Sequence, residues 1–243
     1  MSWEGGAWSF LSRETSDGTS RVFDNAFSTV THLSDGRTLF EIEHPPVREV
    51  TAEMLCWWYG VYADLSLVID GTTYPAFLVS HPKVHISLES EKADKERPLT
   101  AGDFVTIVEG YQRNPDFTTN ERLEVVRRDE TRFALRATRS GVTVADVEFH
   151  YEDGPEGLKV RNLLTVGVAK GIFKPIVNRM IIPWLYYEDK NYAWLLHSVE
   201  EIGNFENFLP EIFARRDQGM TIRWDRNSLP SKKPLRGPSP ADV

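Results

Sequence analysis

Residues 122–166 read RLEVVRRDETRFALRATRSGVTVADVEFHYEDGPEGLKVRNLLTV, and this stretch decides the fold class. It consists of short runs with alternating or β-branched apolar residues, which is the pattern of half-buried strands. The pairs Asp129-Glu130, Ser140-Gly141 and Asp153-Gly154 stand between the runs and are typical of tight turns. Because strands joined by short turns pair with their neighbours in sequence, the stretch predicts an antiparallel sheet.

The same pattern extends toward the N-terminus of the chain. Thr38 to Glu43 predicts a first strand, which the prolines at positions 45 and 46 end. The other predicted strands are 65–69, 73–79, 83–89, 103–109, 122–127, 132–138, 142–151 and 158–166.

Helical spacing of apolar residues occurs on both sides of the strand series. Thr51 is a suitable N-cap for a helix over 52–63, and residues 191–214 place apolar side chains along one broad side. Pro210 is expected to kink or end this second helix. A long C-terminal helix lying across a curved antiparallel sheet buries the apolar face of each element, so the sequence predicts an α+β fold.

The ends of the chain differ from its middle in composition. Residues 1–36 mix Gly, Ser, Thr and Asp with scattered aromatic residues, which predicts an irregular N-terminal segment. Residues 227–243 are rich in proline and predict a flexible tail. The interval 37–226 is therefore expected to form the functional domain.

Overall composition argues against two classes of partner. The net charge is −8 without a long block of one sign, so nucleic acid is not an expected partner. The most apolar stretch, 166–187, is interrupted by basic residues and is not expected to span a membrane. The single cysteine, Cys56, and the lack of a visible signal peptide predict a reducing, cytoplasmic location.

His197 and Glu201 stand four residues apart on the predicted C-terminal helix. One helical turn separates them, so an imidazole nitrogen and a carboxylate oxygen can reach one point and suit a metal ion. A hydrogen bond on the helix surface explains the same spacing. Glu200 is also within reach of His197, and spacing alone does not choose between the two glutamates.

Two further polar groups stand in or beside predicted strands. The segment His81-Pro-Lys-Val-His85 leads into the strand 83–89, where His85 points away from the apolar side chains of Val84, Ile86 and Leu88. Solvent-facing histidines are the alternative interpretation. Glu109 shares a strand face with apolar residues, which is costly for a carboxylate unless it is paired, metal-bound or reached by water at the strand end.

These segments together resemble a known family, the 2,4-diacetylphloroglucinol and phloretin hydrolases. The segments that carry the resemblance are HPKVH at 81–85, TIVE at 106–109, HSVEE at 197–201, NFLP at 207–210 and the helix TAEMLCWW at 51–58. The resemblance covers about residues 45–215. It implies a helix-grip fold, similar to START and pollen-allergen domains, in which a curved antiparallel sheet wraps around a long C-terminal helix.

Carried over by position, the resemblance implies one zinc ion bound by His85, Glu109, His197 and Glu201. His81 would then lie behind the ligands, and His81, His150 or a tyrosine would be the candidate for proton transfer. The implied reaction is a retro-Claisen hydrolysis of a carbon–carbon bond beside a ketone, in an acylated phenol or a β-dicarbonyl-like compound.

The sequence departs from the family pattern at two positions, since Ser80 replaces an expected tryptophan and Phe77 an expected tyrosine. Strand alternation also groups His150 with Asp146 and Glu148, which leaves a solvent-facing position open.

Two other functions remain as alternatives. The chain could be a helix-grip ligand-binding protein, or a metal-dependent cyclase, isomerase or retro-aldolase that consumes no water. The expected partner is a small aromatic or polyketide-like molecule, and a homodimer is a possible assembly.

Overall fold

The computed structural model describes residues 26–224, apart from 112–113, 173 and 183–187. The strands are β1 (Phe27–His32), β2 (Thr38–Glu43), β3 (Ser66–Ile69), β4 (Thr72–Pro75), β5 (His85–Glu91), β6 (Phe104–Gly110), β7 (Thr118–Asp129), β8 (Arg132–Arg139), β9 (Val142–Gly154), β10 (Gly157–Val166) and β11 (Thr221–Trp224). The helices are α1 (Ala52–Val61), α2 (Ala76–Ser80) and α3 (Glu188–Phe213), and a short helical turn, Lys174–Ile176, runs into a π-helical turn, Val177–Ile181.

Eight strands form one antiparallel sheet in the order β1-β2-β10-β9-β8-β7-β6-β5. Apolar residues alternate along the central strands, so every second side chain faces α1 and α3 and the buried core lies between the helices and the sheet. This arrangement confirms the predicted α+β fold, a helix-grip architecture in which an antiparallel sheet wraps around the long C-terminal helix.

Two tight turns of the sheets have the backbone that their sequences favour. Asp70 and Gly71 connect β3 to β4, and Ser140 and Gly141 connect β8 to β9. All four residues have positive φ values of 49° to 82°, as the two-residue type I′ turn requires. Glycine at the second position accepts this conformation without strain.

The helix α1 is anchored at its start and along its buried face. The Thr51 hydroxyl accepts a hydrogen bond from the Met54 backbone N–H, which confirms Thr51 as the N-cap. Trp58 is fully buried and meets the rings of Phe205 and Phe208 on α3 edge to face, with centroids 5.9 Å and 5.1 Å away. Aromatic packing therefore joins α1 to α3.

The interval 73–79 was wrongly predicted to be one strand. Strand β4 ends at Pro75, and residues 76–80 turn into the helix α2. Proline has no backbone N–H for the sheet and its fixed φ suits the start of a helix. The strands β3 and β4 also leave the main sheet and form a small one with β11, which the sequence did not predict.

The prediction that the N-terminal segment is irregular is wrong for its last part. Residues 27–32 form β1, which pairs with β2 at the edge of the main sheet. The side chains of β1 are largely exposed, Phe27 at 66% and Val30 at 53%, so the strand lacked the alternation that predicts burial. Residues 1–25 and the predicted flexible tail, 227–243, lie outside the described residues.

The C-terminal helix continues past the residue that was expected to kink or end it. Pro210 lies in the last turn of α3, and its carbonyl accepts a hydrogen bond from the Ala214 N–H. The helix therefore ends three residues later, at Phe213. In the part of the chain that the structure describes, no helix has the length and apolarity needed to cross a bilayer.

Candidate metal and ligand site

Three elements bring the predicted metal-binding residues together. His85 begins β5 and lies directly opposite Glu109 of β6, so the two side chains project from the same face of the sheet. The register shifts between His85 and Ser87, where Ile86 is an extra residue that points outward and is 53% exposed. The helix α3 covers this face and brings His197 and Glu201 to the same place.

The donor atoms of these residues surround one small volume. Nε2 of His85 and Nε2 of His197 both lie 3.5 Å from the same oxygen, Oε1 of Glu109. Each nitrogen also lies 3.7 Å from an oxygen of Glu201, His85 from Oε1 and His197 from Oε2. The ligand atoms of His85, Glu109 and His197 all lie within 4.8 Å of one another.

These spacings fit a metal ion better than they fit hydrogen bonds. An N–H···O hydrogen bond spans about 2.7–3.2 Å, which is shorter than each of the four distances. Two ligands bound to one zinc ion at about 2.0–2.1 Å in a tetrahedron stand about 3.4 Å apart. In addition, Nε2 of His85 is buried without a hydrogen-bond partner among the described residues. The residues present therefore fit a zinc ion.

Two polar groups and one aromatic ring hold the His85 imidazole on the side away from Glu109 and Glu201. Nδ1 of His85 donates to the Phe77 carbonyl oxygen at 2.7 Å and lies 3.1 Å from the Ser80 hydroxyl oxygen. The Phe77 ring stacks on the imidazole with centroids 3.8 Å apart and planes 5° apart. A proton on Nδ1 leaves a lone pair on Nε2, the form that binds a metal. Burial also lowers the pKa of His85 and favours this neutral form.

Glu109 is a half-buried carboxylate that remains ionised. Its Oε2 accepts a hydrogen bond of 2.7 Å from the Tyr111 hydroxyl, while Oε1 faces the two histidines. Burial alone would raise the pKa of Glu109, but the charges of His197 and His85 and the Tyr111 hydrogen bond together outweigh it, and the pKa falls to about 2. Conversely, burial alone would lower the pKa of His197, but Glu109 raises it above its ordinary value.

The structure shows which of the two glutamates joins the cluster, a choice that sequence spacing left open. Glu201 is buried and directs its carboxylate to His85 and His197, whereas Oε2 of Glu200 lies 3.0 Å from Nε2 of His81. Burial and the nearby Glu109 charge raise the pKa of Glu201 to about 7, although His197 acts in the opposite direction. Without a metal ion, Glu201 thus joins His197 as a group of the cluster that binds a proton near neutral pH.

His81, a predicted candidate for proton transfer, lies behind the cluster. Its side chain is fully buried and its ring centroid is 4.8 Å from that of His197. Burial lowers the pKa of His81 to about 4, despite the hydrogen bond to Glu200. Because His81 is not among the described residues that line the cavity, its position suits a supporting role more than contact with a ligand.

His150, the other predicted candidate for proton transfer, lies on the wrong side of the sheet. Its neighbours in β9, Phe149 and Val147, line the cavity, while His150 pairs with Glu148 at 2.7 Å on the outer face. The alternation of β9 sends consecutive side chains to opposite faces, so His150 cannot reach a ligand in the cavity. The proposed catalytic role of His150 is therefore corrected.

The cluster forms part of the wall of a cavity between α3 and the sheet. The cavity contains about 990 Å³ of empty space, including the part open to solvent. Leu123, Leu135 and Val147 line it from the sheet, and Tyr59 and Tyr62 line it from α1 and its C-cap. Glu109, His197 and Glu201 also line it, as do Thr119, Glu121, Lys190 and Ser198, so β6, β7 and α3 supply polar groups to a mostly apolar wall.

Two contributing tyrosines were not identified from the sequence. Tyr111 positions Glu109, and its place two residues beyond Glu109 in the chain offered a signal, because strand alternation puts such residues on one face. Tyr62 follows the helix α1 and reaches the cavity only through the fold, so no local pattern indicated it. Trp194 also lines the cavity.

Comparisons with known proteins place no family name on the chain. No family model and no curated protein matches it. Among solved structures, it is similar to protein Ms6760 from Mycobacterium smegmatis, at 13% identity over 75% of this chain and 98% of that one, with a TM-score of 0.43. It is similar to major latex-like protein 151 from Panax ginseng, at 7% identity over 70% and 94% of the two chains, with a TM-score of 0.45.

A third similar structure is the di-domain aromatase/cyclase StfQ of the steffimycin biosynthetic pathway. The identity is 15% over 76% of this chain and 52% of that one, with a TM-score of 0.42. Likeness at this level carries no functional argument, and the fold assignment here comes from the sheet and the helices themselves.

The resemblance to the phloroglucinol-type hydrolases was wrong as a family assignment. No family model and no curated sequence supports it. The predicted hydrolase class and the retro-Claisen reaction are withdrawn with it. The zinc ion loses the support of the resemblance. Only the geometry of the donor atoms supports it.

Proposed function

We propose that this helix-grip protein binds a small aromatic or polyketide-like carbonyl compound in its cavity, beside a zinc ion held by His85, Glu109, His197 and Glu201. The observation that supports the proposal most strongly is the spacing of 3.5 Å and 3.7 Å between histidine nitrogens and carboxylate oxygens. Two imidazoles and two carboxylates are a donor set that zinc prefers.

The shape of the cavity supports one orientation of the ligand. Aliphatic side chains of the sheet and the aromatic rings of Tyr59 and Phe133 suit an apolar body. The cluster contributes Glu109, His197 and Glu201 to the wall, and an oxygen atom of the ligand is expected beside them. A zinc ion bound there supplies a Lewis acid that polarises a carbonyl oxygen.

The reaction class that we propose consumes no water and covers cyclisation, isomerisation and retro-aldol cleavage. These reactions share one requirement, because negative charge develops on a carbonyl oxygen and must be stabilised. The carboxylate of Glu109 is fixed by Tyr111, and the ring of His85 is fixed by Phe77, so the site is organised before a ligand arrives. The apolar walls exclude water from the rest of the ligand.

A test that needs no knowledge of the natural substrate uses 2-acetylnaphthalene in deuterated water. We expect the zinc-loaded protein to accelerate deuterium uptake at the methyl group beside the carbonyl, as followed by proton NMR. The variant His197→Ala, which lacks one proposed zinc ligand, should show only the background rate. The variant His150→Ala is the matched control, since His150 lies outside the cavity, and it should keep the wild-type rate.

One observation favours a second candidate, a metal-free ligand-binding protein. The pKa of Glu109 is lowered and that of His197 raised, so these two groups can satisfy each other as an ion pair. In this case the cluster would be a polar patch in a binding cavity. Deuterium uptake at the background rate in the wild-type protein, together with saturable binding of 2-acetylnaphthalene and no bound zinc, would favour this candidate.

A further inference from the structure

Tyr62 lies at the C-terminal end of α1, where this helix meets the cavity. It is the C-cap residue of α1, where its backbone N–H donates to the Trp58 carbonyl oxygen at 2.9 Å. Its side chain is buried but lines the cavity. A rigid helix end therefore holds this tyrosine at the wall of the proposed ligand site.

The ring of Tyr62 is fixed by aromatic neighbours on several sides. Tyr59, Phe77 and Phe133 meet it edge to face, with centroids 5.7 Å, 6.1 Å and 6.2 Å away. Phe77 is the residue that stacks on His85, so the ring of Tyr62 is one aromatic contact away from the metal cluster. These contacts leave the ring little freedom to move its hydroxyl elsewhere.

The hydroxyl group of Tyr62 lies in the electrostatic field of the cluster. Burial raises the pKa of Tyr62 well above its ordinary value, and the charges of Glu201 and Glu109 raise it further. The hydroxyl therefore keeps its proton and acts as a hydrogen-bond donor at neutral pH. No described residue accepts a hydrogen bond from it, in contrast to the hydroxyls of Tyr111 and Tyr151.

The neighbouring tyrosine on α1 provides a comparison. The Tyr59 hydroxyl is enclosed by protein on all sides without a partner, so a ligand cannot approach it without displacing side chains. No such enclosure applies to the Tyr62 hydroxyl. Of these two neighbouring tyrosines, Tyr62 is thus the one that can donate to a ligand.

From this arrangement we infer that the Tyr62 hydroxyl is a specificity-determining hydrogen-bond donor for an oxygen atom of the ligand. The inference rests on the proposed function, since it takes the cavity as the ligand site, and it narrows the ligand class. The ligand is an aromatic or polyketide-like compound whose oxygen lies next to the cluster and accepts a hydrogen bond from Tyr62. Compounds of the same shape without this oxygen leave the donor unpaired and bind more weakly.

The experiment uses two probes of nearly the same shape. 2-Acetylnaphthalene carries a carbonyl oxygen, and 2-isopropenylnaphthalene carries a methylene group in its place. Dissociation constants of both are measured by fluorescence titration for the wild type, for Tyr62→Phe and for Tyr151→Phe. Tyr151 is a matched control, because its buried hydroxyl donates to the Asp129 carbonyl and the residue does not line the cavity.

We expect Tyr62→Phe to weaken binding of 2-acetylnaphthalene by about tenfold, the effect of one lost hydrogen bond, and to leave the hydrocarbon probe unaffected. Tyr151→Phe should change neither. An equal affinity of wild type and Tyr62→Phe for the ketone would overturn the inference, as would an equal loss for both probes. Failure of the wild type to bind either probe would overturn it as well.

The inference and the zinc proposal can fail separately. Each titration is done with zinc-loaded and chelator-treated protein, and bound zinc is measured independently by elemental analysis. A tenfold effect of Tyr62→Phe in a protein that binds no zinc would refute the zinc site alone. Zinc uptake without any effect of Tyr62→Phe would refute the role of Tyr62 alone. Circular dichroism of each variant checks that its fold is intact.

Discussion

His85 and Glu109 are direct partners across β5 and β6, and both turn toward the helix α3. The bulge at Ile86 follows immediately, so the side chain of Ile86 points away from the cavity while His85 is buried. This local irregularity lets β5 present the imidazole of its first residue to the interior while Ile86 faces outward. The histidine of α3 then meets the same carboxylate oxygen at an equal distance of 3.5 Å.

The first prediction concerns Tyr111, which holds Glu109 in place. Tyr111→Phe removes the 2.7 Å hydrogen bond to Oε2 of Glu109 and leaves the ring in position. Loss of a hydrogen-bond partner behind a metal ligand typically weakens metal binding by about 10–100-fold. We therefore expect the zinc dissociation constant to rise by about tenfold. Competition with a chromophoric zinc chelator measures it. Tyr151→Phe serves as the control, and an unchanged constant for Tyr111→Phe would contradict the role given to Tyr111.

The second prediction separates two adjacent glutamates. Glu201→Gln removes a proposed ligand, so we expect zinc affinity to fall by at least about a hundredfold. Glu200→Gln changes the same functional group one position away, where it contacts His81, and should weaken zinc binding by less than about tenfold. Isothermal titration of the metal-free variants gives both constants. An equal loss of zinc affinity in the two variants, or a larger loss in Glu200→Gln, would contradict the assignment of Glu201 as the ligand.

The third prediction is a pH effect in metal-free protein. The pKa of Glu201 is about 7 in the folded state and 4.5 in the reference state, so the folded protein binds more protons between these values. Stability contributed by this group is therefore lost as pH rises from 4.5 through 7. Glu201→Gln lacks this titration, so above pH 7 the free energy of unfolding of the variant should exceed that of the wild type by about 1–3 kcal/mol.

Urea unfolding at pH 4.5 and pH 8, with a chelator present, measures this difference. The two proteins should differ least at pH 4.5, where Glu201 is protonated in the folded state. A wild type that becomes more stable relative to Glu201→Gln as the pH rises would show the opposite sign and contradict the burial argument.

The fourth prediction concerns the contact between α1 and α3. Trp58 is fully buried between Phe205 and Phe208, so Trp58→Ala leaves a large void. We expect a loss of about 3–5 kcal/mol in the free energy of unfolding. Chemical denaturation of the zinc-free protein measures it. Trp58→Phe keeps an aromatic ring and should lose less, and equal losses for the two variants would argue against ring packing as the cause.

The sequence allowed the main sheet and both long helices to be predicted because each carries its own period. Alternating residues in 132–139 and a capped apolar run after Thr51 are local signals. The edge strand β1 lacked a signal because its largely exposed side chains show no alternation, and the short strand β11 because its partner β3 is distant in sequence. The turn from Pro75 into α2 was missed because β-branched residues on both sides resemble a strand.

The candidate site was predictable in part from the same kind of signal. The four proposed ligands stood out as polar residues at positions where their spacing or face was unusual, and the fold brings them together. Whether Glu201 or Glu200 faces the cluster depends on how α3 is rotated about its axis relative to the sheet. No local sequence pattern specifies that rotation. His150 was a wrong candidate because it was carried over from the resemblance, although strand alternation already grouped it with Asp146 and Glu148. The family assignment failed because short motifs are shared more widely than functions are.

The measurement that tests the central claim most directly is equilibrium dialysis of chelator-treated protein against zinc, with the bound metal counted by elemental analysis. The account predicts about one zinc ion per chain for the wild type and for His150→Ala, and less than about a tenth of that for His197→Ala at the same free zinc concentration. A wild type that retains no zinc would contradict it. So would a His197→Ala variant that binds zinc as fully as the wild type.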